Sequence, residues 1–101
     1  MDTELLLGKI LQKFKAQQFA QVQGYKLFGY IRETENMVYI TRETGQDTPI
    51  PFEKIKIGIE AFRTDPNLYH QGPSKLRAFG ITHVTSPIWS LLHLLDISDY
   101  K

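Results

Sequence analysis

Two runs of aromatic and β-branched residues, separated by a short polar segment, constrain the fold of this 101-residue chain more than any other feature. They cover residues 25–32 and 37–43, and the polar turn between them is residues 33–36. This pattern is typical of a β-hairpin. An isolated two-stranded hairpin is only marginally stable in water, so the sequence predicts that a third strand or a helix packs against it.

An amphipathic helix is predicted before the hairpin, because apolar residues repeat at helical spacing between residues 3 and 18. Asp2 or Thr3 can cap its first turn. We expect its apolar stripe to cover one face of the hairpin. The stripe consists of Leu7, Ile10, Leu11 and Phe14.

Residues 52–64 allow two interpretations. Residues 55–59 alternate with a period of two, and Gly58 costs the interior of a helix about 1 kcal/mol relative to alanine, so both features favour a strand. A helix is preferred because residues 60–63 continue the helical spacing and Asp65 and Pro66 end it. The apolar positions spaced three and four apart are Phe52, Ile55, Ile59 and Phe62.

Two further helices are predicted in the last third of the chain. Ser74 can cap a short helix over residues 75–79, which Gly80 would end in the left-handed conformation. Residues 72–95 also match a helix-turn-helix weakly, because the turn is too long and Pro87 interrupts the second helix. We therefore interpret this stretch as two capped helices joined by an ordered loop.

The last helix is expected to begin with Pro87 at its first position, after a cap provided by Thr85 or Ser86. Its spacing predicts a buried stripe on one side, with Trp89 one position off that stripe. The stripe consists of Ile88, Leu91, Leu92 and Leu95.

These elements predict an α+β fold: an N-terminal amphipathic helix, a β-hairpin that a third strand can extend into a small antiparallel sheet, then two or three helices. The length fits a single domain over residues 1–101. The chain has no cysteine, which excludes disulfides and thiolate chemistry and fits a reducing compartment. No apolar run approaches the ~20 residues that span a bilayer, and no signal peptide pattern opens the chain, so we expect a cytoplasmic protein without a membrane partner.

The common catalytic and cofactor motifs are missing from the sequence. It contains no phosphate-binding glycine loop, no dinucleotide fingerprint and no nucleophile elbow. Any general base would start from His70, His83 or His93, but none has a partner at metal-ligand spacing. We therefore expect no metal, no cofactor and no catalytic residue. A small enzyme with a site centred on His83 or His70 is the third hypothesis for function.

A nucleic-acid hypothesis rests on the hairpin, where aromatic residues alternate with basic ones. Aromatic rings can stack on unpaired bases while cations hold phosphates. The alternation places Lys26, Phe28, Tyr30 and Arg32 on one strand face. A net charge of only +1 argues against a strong field for nucleic acid. The candidate phosphate-binding residues are Lys26, Arg32, Arg42, Lys54, Lys56, Lys75 and Arg77.

The leading hypothesis is a noncatalytic protein-interaction module that can form a homodimer. A half-exposed Trp89 would suit it, since tryptophan is enriched at interface hot spots. The hairpin carries large apolar residues on both faces, and one of these faces can meet a partner chain. Core packing explains the same residues equally well. The candidate partner-binding residues are Phe28, Tyr30, Tyr39 and Trp89.

Overall fold

The amino-terminal helix opens the computed structural model, which describes residues 2–42 and 47–101. This helix, α1, spans Thr3–Gln17, and the Asp2 carboxylate caps it by accepting the Leu5 N–H at 2.8 Å. The chain leaves the helix at Gln18, whose φ of 73° lies in the left-handed region. The predicted helix and its Asp2 cap are thus confirmed. Its buried residues are Leu6, Leu7, Ile10 and Phe14.

The predicted hairpin forms the centre of a four-stranded antiparallel sheet. The strands are β1 (Phe19–Ala20), β2 (Phe28–Glu33), β3 (Met37–Thr41) and β4 (Asp47–Pro51), which pair in that order. The hairpin is β2 and β3. Its first strand begins at Phe28 rather than at residue 25, and Glu43, predicted as the end of the second strand, lies outside the described residues. Flanking strands on both sides supply the support that a lone hairpin lacks.

A β-bulge interrupts β2 at Ile31. Tyr30 pairs with Ile40 and Arg32 pairs with Tyr39, so Ile31 has no partner on β3. One extra residue reverses the alternation of side chains beyond that point. Because Ile40 is fully buried, Tyr30 faces the core, whereas Arg32 lies with Tyr39 on the opposite face of the sheet.

Two prolines protect the free edge of the sheet at β4. The Phe52 N–H donates to the Asn36 carbonyl oxygen at 2.9 Å, which makes these two residues a hydrogen-bonded pair. Hydrogen-bonded pairs alternate with non-hydrogen-bonded pairs along an antiparallel ladder. Pro49 and Pro51 therefore occupy non-hydrogen-bonded positions opposite β3. The proline nitrogens therefore face the free edge. They cost the sheet no hydrogen bond, and they remove the N–H groups that a further strand would need.

The segment 52–64 is a helix, α2 (Phe52–Thr64), so the preferred interpretation is confirmed. Gly58 is buried where α2 crosses α3 (Thr85–Leu92). A Cβ atom on Gly58 would lie 2.9 Å from Leu92 Cδ1 and 3.3 Å from Ile88 Cγ2. The glycine is therefore needed for close packing of the two helices, and its presence did not indicate a strand.

The last third of the chain differs in detail from the prediction. The short helix is a 3₁₀ helix, Pro73–Phe79, with Gly72 rather than Ser74 as its N-cap residue. Gly80 ends it with a φ of 90°, as predicted. Because this element is not an α-helix, the helix-turn-helix interpretation does not hold. Two more 3₁₀ helices, Pro66–His70 and Ile97–Tyr100, flank these elements in the chain.

The start of α3 also corrects the prediction. Val84 is the N-cap residue, no side chain caps the helix, and Pro87 is its third residue rather than its first. Proline still fits there, since the first-turn N–H groups have no partner within a helix. Leu95 is buried as expected, but it lies beyond the end of α3.

The core lies between the helices and one face of the sheet. That face contributes Ala20, Phe28, Val38, Ile40 and Ile50, all of which are buried. At the other side of the core, Phe62 makes edge-to-face contacts with four rings. Such contacts stabilise aromatic clusters beyond simple burial. The four rings belong to Tyr69, Trp89, His93 and Tyr100.

Candidate functional site

The predicted partner-binding residues separate into buried and exposed positions. Trp89 is 2% exposed and Phe28 is 3% exposed. Of the two alternatives that the sequence left open for Trp89, the structure therefore supports core packing and not a half-exposed anchor. Every residue of α3 from 87 to 92 is buried, which makes it an inner helix without a solvent side. Tyr30 packs edge-on against Phe14 with ring centroids 5.3 Å apart. Of the four candidates, Tyr39 alone lies on the face of the sheet that points away from the helices.

The bulge also divides the strand face that the nucleic-acid hypothesis used. Phe28 and Tyr30 point into the core, whereas Arg32 lies over the ring of Tyr39, with its guanidinium carbon 3.8 Å from the ring centroid. This is a cation–π contact. The prediction that Lys26, Phe28, Tyr30 and Arg32 share one exposed face is therefore wrong, because alternation was counted through an irregular strand.

The other basic candidates are dispersed over the surface. Lys56 is paired with two carboxylates, Glu4 at 2.9 Å and Glu53 at 3.0 Å. Hydrogen bonds to these two carboxylates raise the pKa of Lys56, and the one to Glu4 has the larger effect. The Lys54 ammonium lies 3.5 Å from the Gly80 carbonyl oxygen. Lys75 and Arg77 are exposed on the 3₁₀ helix Pro73–Phe79.

Two of the basic candidates, Lys26 and Arg42, meet at one cavity of about 270 Å³. This cavity, called here the cationic cavity, lies where the chain enters β2, leaves β3 and begins α3. His83 also lines it. No aspartate or glutamate of the described chain lines it, so the charged groups of its described lining are all basic. Its lining residues in the described chain are Lys26, Phe28, Arg42, His83, Thr85, Ser86 and Pro87.

Arg42 is the unusual member of the cationic cavity. Its Nε atom is buried and has no hydrogen-bond partner among residues 2–42 and 47–101. A buried donor without a partner loses its hydration without compensation, at a cost of about 1–3 kcal/mol. Most buried polar atoms in native proteins are satisfied. The Nε of Arg42 therefore indicates a position where a further acceptor would stabilise the structure.

The first turn of α3 borders the same cavity. Thr85 and Ser86 line it with their hydroxyl-bearing side chains, and no side chain caps the helix. Free N–H groups at a helix start carry partial positive charge. Their position adds hydrogen-bond donors to the basic side chains, and both kinds of group favour an anion.

A second, more open cleft of about 550 Å³ adjoins the cationic cavity and shares Lys26 and Ser86 with it. Its walls carry two exposed apolar side chains, Tyr25 at 41% and Leu27 at 45% exposure. We call this second space the apolar cleft. Its remaining lining residues are Gln21 and Gly24.

The three histidines have different surroundings. Both ring nitrogens of His93 face carbonyl oxygens, with Nδ1 2.8 Å from that of Trp89 and Nε2 2.9 Å from that of Tyr69. His93 is thus engaged in joining α3 to the 3₁₀ helix Pro66–His70. His70 is exposed at the end of that 3₁₀ helix, and only His83 reaches the cationic cavity.

Searches for other kinds of site gave no candidate. The described ranges contain no group of three or more His, Asp or Glu side chains placed to hold a metal ion. In those same ranges, no helix has the length and apolar character needed to cross a bilayer. Comparisons with protein-family models, with curated proteins and with solved structures found no match for this chain.

Proposed function

We propose that this protein is a noncatalytic binding module that holds an anionic group in the cationic cavity. The observation that carries the proposal is that Arg42, Lys26 and His83 line one cavity whose described lining contains no carboxylate. Arginine binds phosphate and carboxylate oxygens through paired, charge-assisted hydrogen bonds. An anion in the cavity would neutralise the charge of this half-buried guanidinium.

The rest of the lining supports the same ligand class. His83 and Lys26 add basic groups, and Thr85 and Ser86 add hydroxyls that can donate to anion oxygens. A carboxylate in the wall would repel an anion, and the described lining has none. A cavity of about 270 Å³ is near the lower limit for ligand pockets, which suits a phosphate-sized group rather than a large molecule. The absence of cysteine fits the cytoplasmic location that we infer for such a module.

The test is a titration of the folded protein with inorganic pyrophosphate, followed by two-dimensional NMR. We expect saturable shifts at the amides of residues 83–86, with a dissociation constant on the order of 1 mM or below. Arg42→Gln should weaken binding by about tenfold or more, because a charge-assisted hydrogen bond is lost. Arg32→Gln is the matched control, since Arg32 stacks on Tyr39 outside the cavity.

Two results would refute the anion-binding proposal. One is the absence of saturable shifts at residues 83–86 in low-salt buffer. The other is an equal loss of binding in Arg32→Gln and Arg42→Gln, which would indicate nonspecific attraction by net charge. Spectra of both variants without ligand establish that each is folded.

The homodimer hypothesis stays a prediction with less support than before. Trp89 and Phe28 are buried in the folded chain, so Trp89→Ala would report on folding rather than on association. Pairing between copies through β4 is disfavoured because Pro49 and Pro51 occupy its free edge. Light scattering at micromolar concentration remains the direct measurement of the oligomeric state.

A further inference from the structure

The cationic cavity and the apolar cleft share a boundary at Lys26 and Ser86. A ligand that fills both must carry an anionic group at one end and a flat or apolar body at the other. We propose that the ligand is a nucleotide unit, with its phosphate in the cationic cavity and its base in the apolar cleft. This inference rests on the proposed function, because it assigns the anion to a phosphate.

Tyr25 is the residue on which the base would stack. Its ring is 41% exposed in the wall of the cleft, and every base can stack on an aromatic ring. The Tyr25 hydroxyl lies 3.8 Å from where a Cβ atom on Gly72 would be, so the ring leans on the segment before the 3₁₀ helix Pro73–Phe79. The Tyr25 N–H also donates to the Val22 carbonyl oxygen at 2.9 Å. This hydrogen bond fixes the backbone of Tyr25 beside the cleft.

Leu27 completes the apolar wall. It is 45% exposed although it directly precedes the buried Phe28 at the start of β2. Exposed apolar side chains that stand singly need no explanation, whereas a tyrosine and a leucine on one cleft form a surface for a flat ligand. Gln21 lines the same cleft and carries an amide that can pair with the edge of a base.

Charge complementarity favours a nucleotide over a neutral aromatic compound. The cleft opens beside Arg42, Lys26 and His83 across the shared wall. A neutral ring would occupy the cleft and leave the basic cavity empty. A nucleotide monophosphate joins the two parts through a ribose, which places an anion and a base at adjacent sites.

The experiment compares the binding of three small probes to the full chain by calorimetry: inorganic pyrophosphate, ribose 5-phosphate and adenosine 5′-monophosphate. We expect the nucleotide to bind about tenfold more tightly than ribose 5-phosphate, because stacking on an aromatic side chain contributes that factor. Tyr25→Ala should remove this difference and leave pyrophosphate binding unchanged, whereas Tyr25→Phe should retain it. Phe79→Ala removes an equally exposed ring on a different element and serves as the control.

The outcomes separate the two proposals. Equal affinities for the nucleotide and ribose 5-phosphate, with pyrophosphate still bound, would overturn the nucleotide inference and keep the anion site. If none of the three probes binds to the full chain, the anion site itself would be overturned. A nucleotide preference that survives Tyr25→Ala would also overturn the inference, because the base would then lie elsewhere.

A fourth arm identifies the source of the nucleotide unit. An oligothymidylate that binds more tightly than thymidine monophosphate, with an affinity that falls steeply with salt, would assign the site to single-stranded nucleic acid. Equal affinity per site for the two would assign it to a free nucleotide. Both results support a nucleotide unit, and failure of both probes to bind would contradict it.

Discussion

Two glycines inside helices provide a controlled comparison of packing with backbone preference. Gly8 lies within α1, where a Cβ atom would have nothing within 4 Å, and Gly58 lies within α2 against α3. Replacement of a helix-interior glycine by alanine stabilises the helix by about 1 kcal/mol in the absence of new contacts. We expect Gly8→Ala to show this gain in full.

Gly58→Ala gains the same stabilisation of the helix backbone, but its new side chain collides with α3. Its Cβ would lie 2.9 Å from Leu92 Cδ1 and 3.3 Å from Ile88 Cγ2, and both of these residues are fully buried, so neither can move into solvent. Overpacking of a filled core costs about 1–3 kcal/mol. When this cost is combined with the gain in the helix, the free energy of unfolding should fall by an amount between about zero and about 2 kcal/mol.

Thermal and chemical denaturation, followed by circular dichroism and by the fluorescence of the buried Trp89, measure both variants. The melting temperatures of Gly8→Ala and Gly58→Ala should differ by about 4 °C or more, given the size of the chain. Leu92→Val shortens the colliding side chain, so it should be less harmful in the Gly58→Ala background than in the wild type. Equal stabilisation by alanine at both glycines, or no coupling with Leu92→Val, would refute the argument.

Two further changes test the carboxyl-terminal core and the first helix cap. Tyr100→Phe removes the donor to the Leu92 carbonyl oxygen and should cost about 1–3 kcal/mol at pH 8. Burial raises the pKa of Tyr100 above its ordinary value of 10.0, so its neutral hydroxyl stabilises the fold fully below pH 10 and this contribution is lost as the pH rises further. In urea denaturation, the free energy of unfolding that Tyr100→Phe loses relative to the wild type should therefore shrink by about 1.4 kcal/mol per pH unit above pH 10. A loss that does not depend on pH would contradict this reasoning. Asp2→Ala removes the acceptor of the Leu5 N–H and should cost about 1 kcal/mol, whereas Asp2→Asn should retain most of the cap; an unchanged melting temperature in Asp2→Ala would count against it.

The hairpin and the two long helices could be predicted because their patterns are local. Periodicities of two and of 3.6 residues are properties of consecutive residues. The strands β1 and β4 were missed for physical reasons. β1 has only two residues, too few for any period, and β4 contains Pro49 and Pro51, which have poor strand propensity. The two prolines are tolerated because they occupy non-hydrogen-bonded positions of an edge strand, and this can be recognised only when the pairing register of β3 and β4 is known.

Trp89 shows the limit of the helical pattern. Its position one residue off an apolar stripe predicts partial exposure only if one side of the helix faces water. α3 packs against α1, α2, the 3₁₀ helix Pro73–Phe79 and β1, and all its residues from 87 to 92 are buried. Neighbours that are distant in sequence set the exposure of such a helix. The sequence offers one hint, since residues 87–92 contain no charged side chain.

The cationic cavity could not be predicted as a site, although Lys26 and Arg42 were candidates and His83 was considered. The cavity depends on three separate segments that meet only after the sheet and α3 have packed together. No spacing rule connects His83 to Arg42. Tyr25 was noticed as an aromatic residue of the hairpin, but its place before β2 rather than within it decides that it remains exposed.

The bulge at Ile31 explains why the two arginines of the hairpin lie in different surroundings. By reversing the alternation of β2, it places Arg32 over the Tyr39 ring, where the guanidinium has a favourable contact and access to water. Arg42 follows the regular strand β3 and reaches the cavity, where its Nε is buried without an acceptor in the described chain. A stacked, hydrated cation gains little from an anion, whereas a half-buried cation gains charge neutralisation. Binding of an anion is therefore expected at Arg42 and not at Arg32, although the two residues are chemically identical.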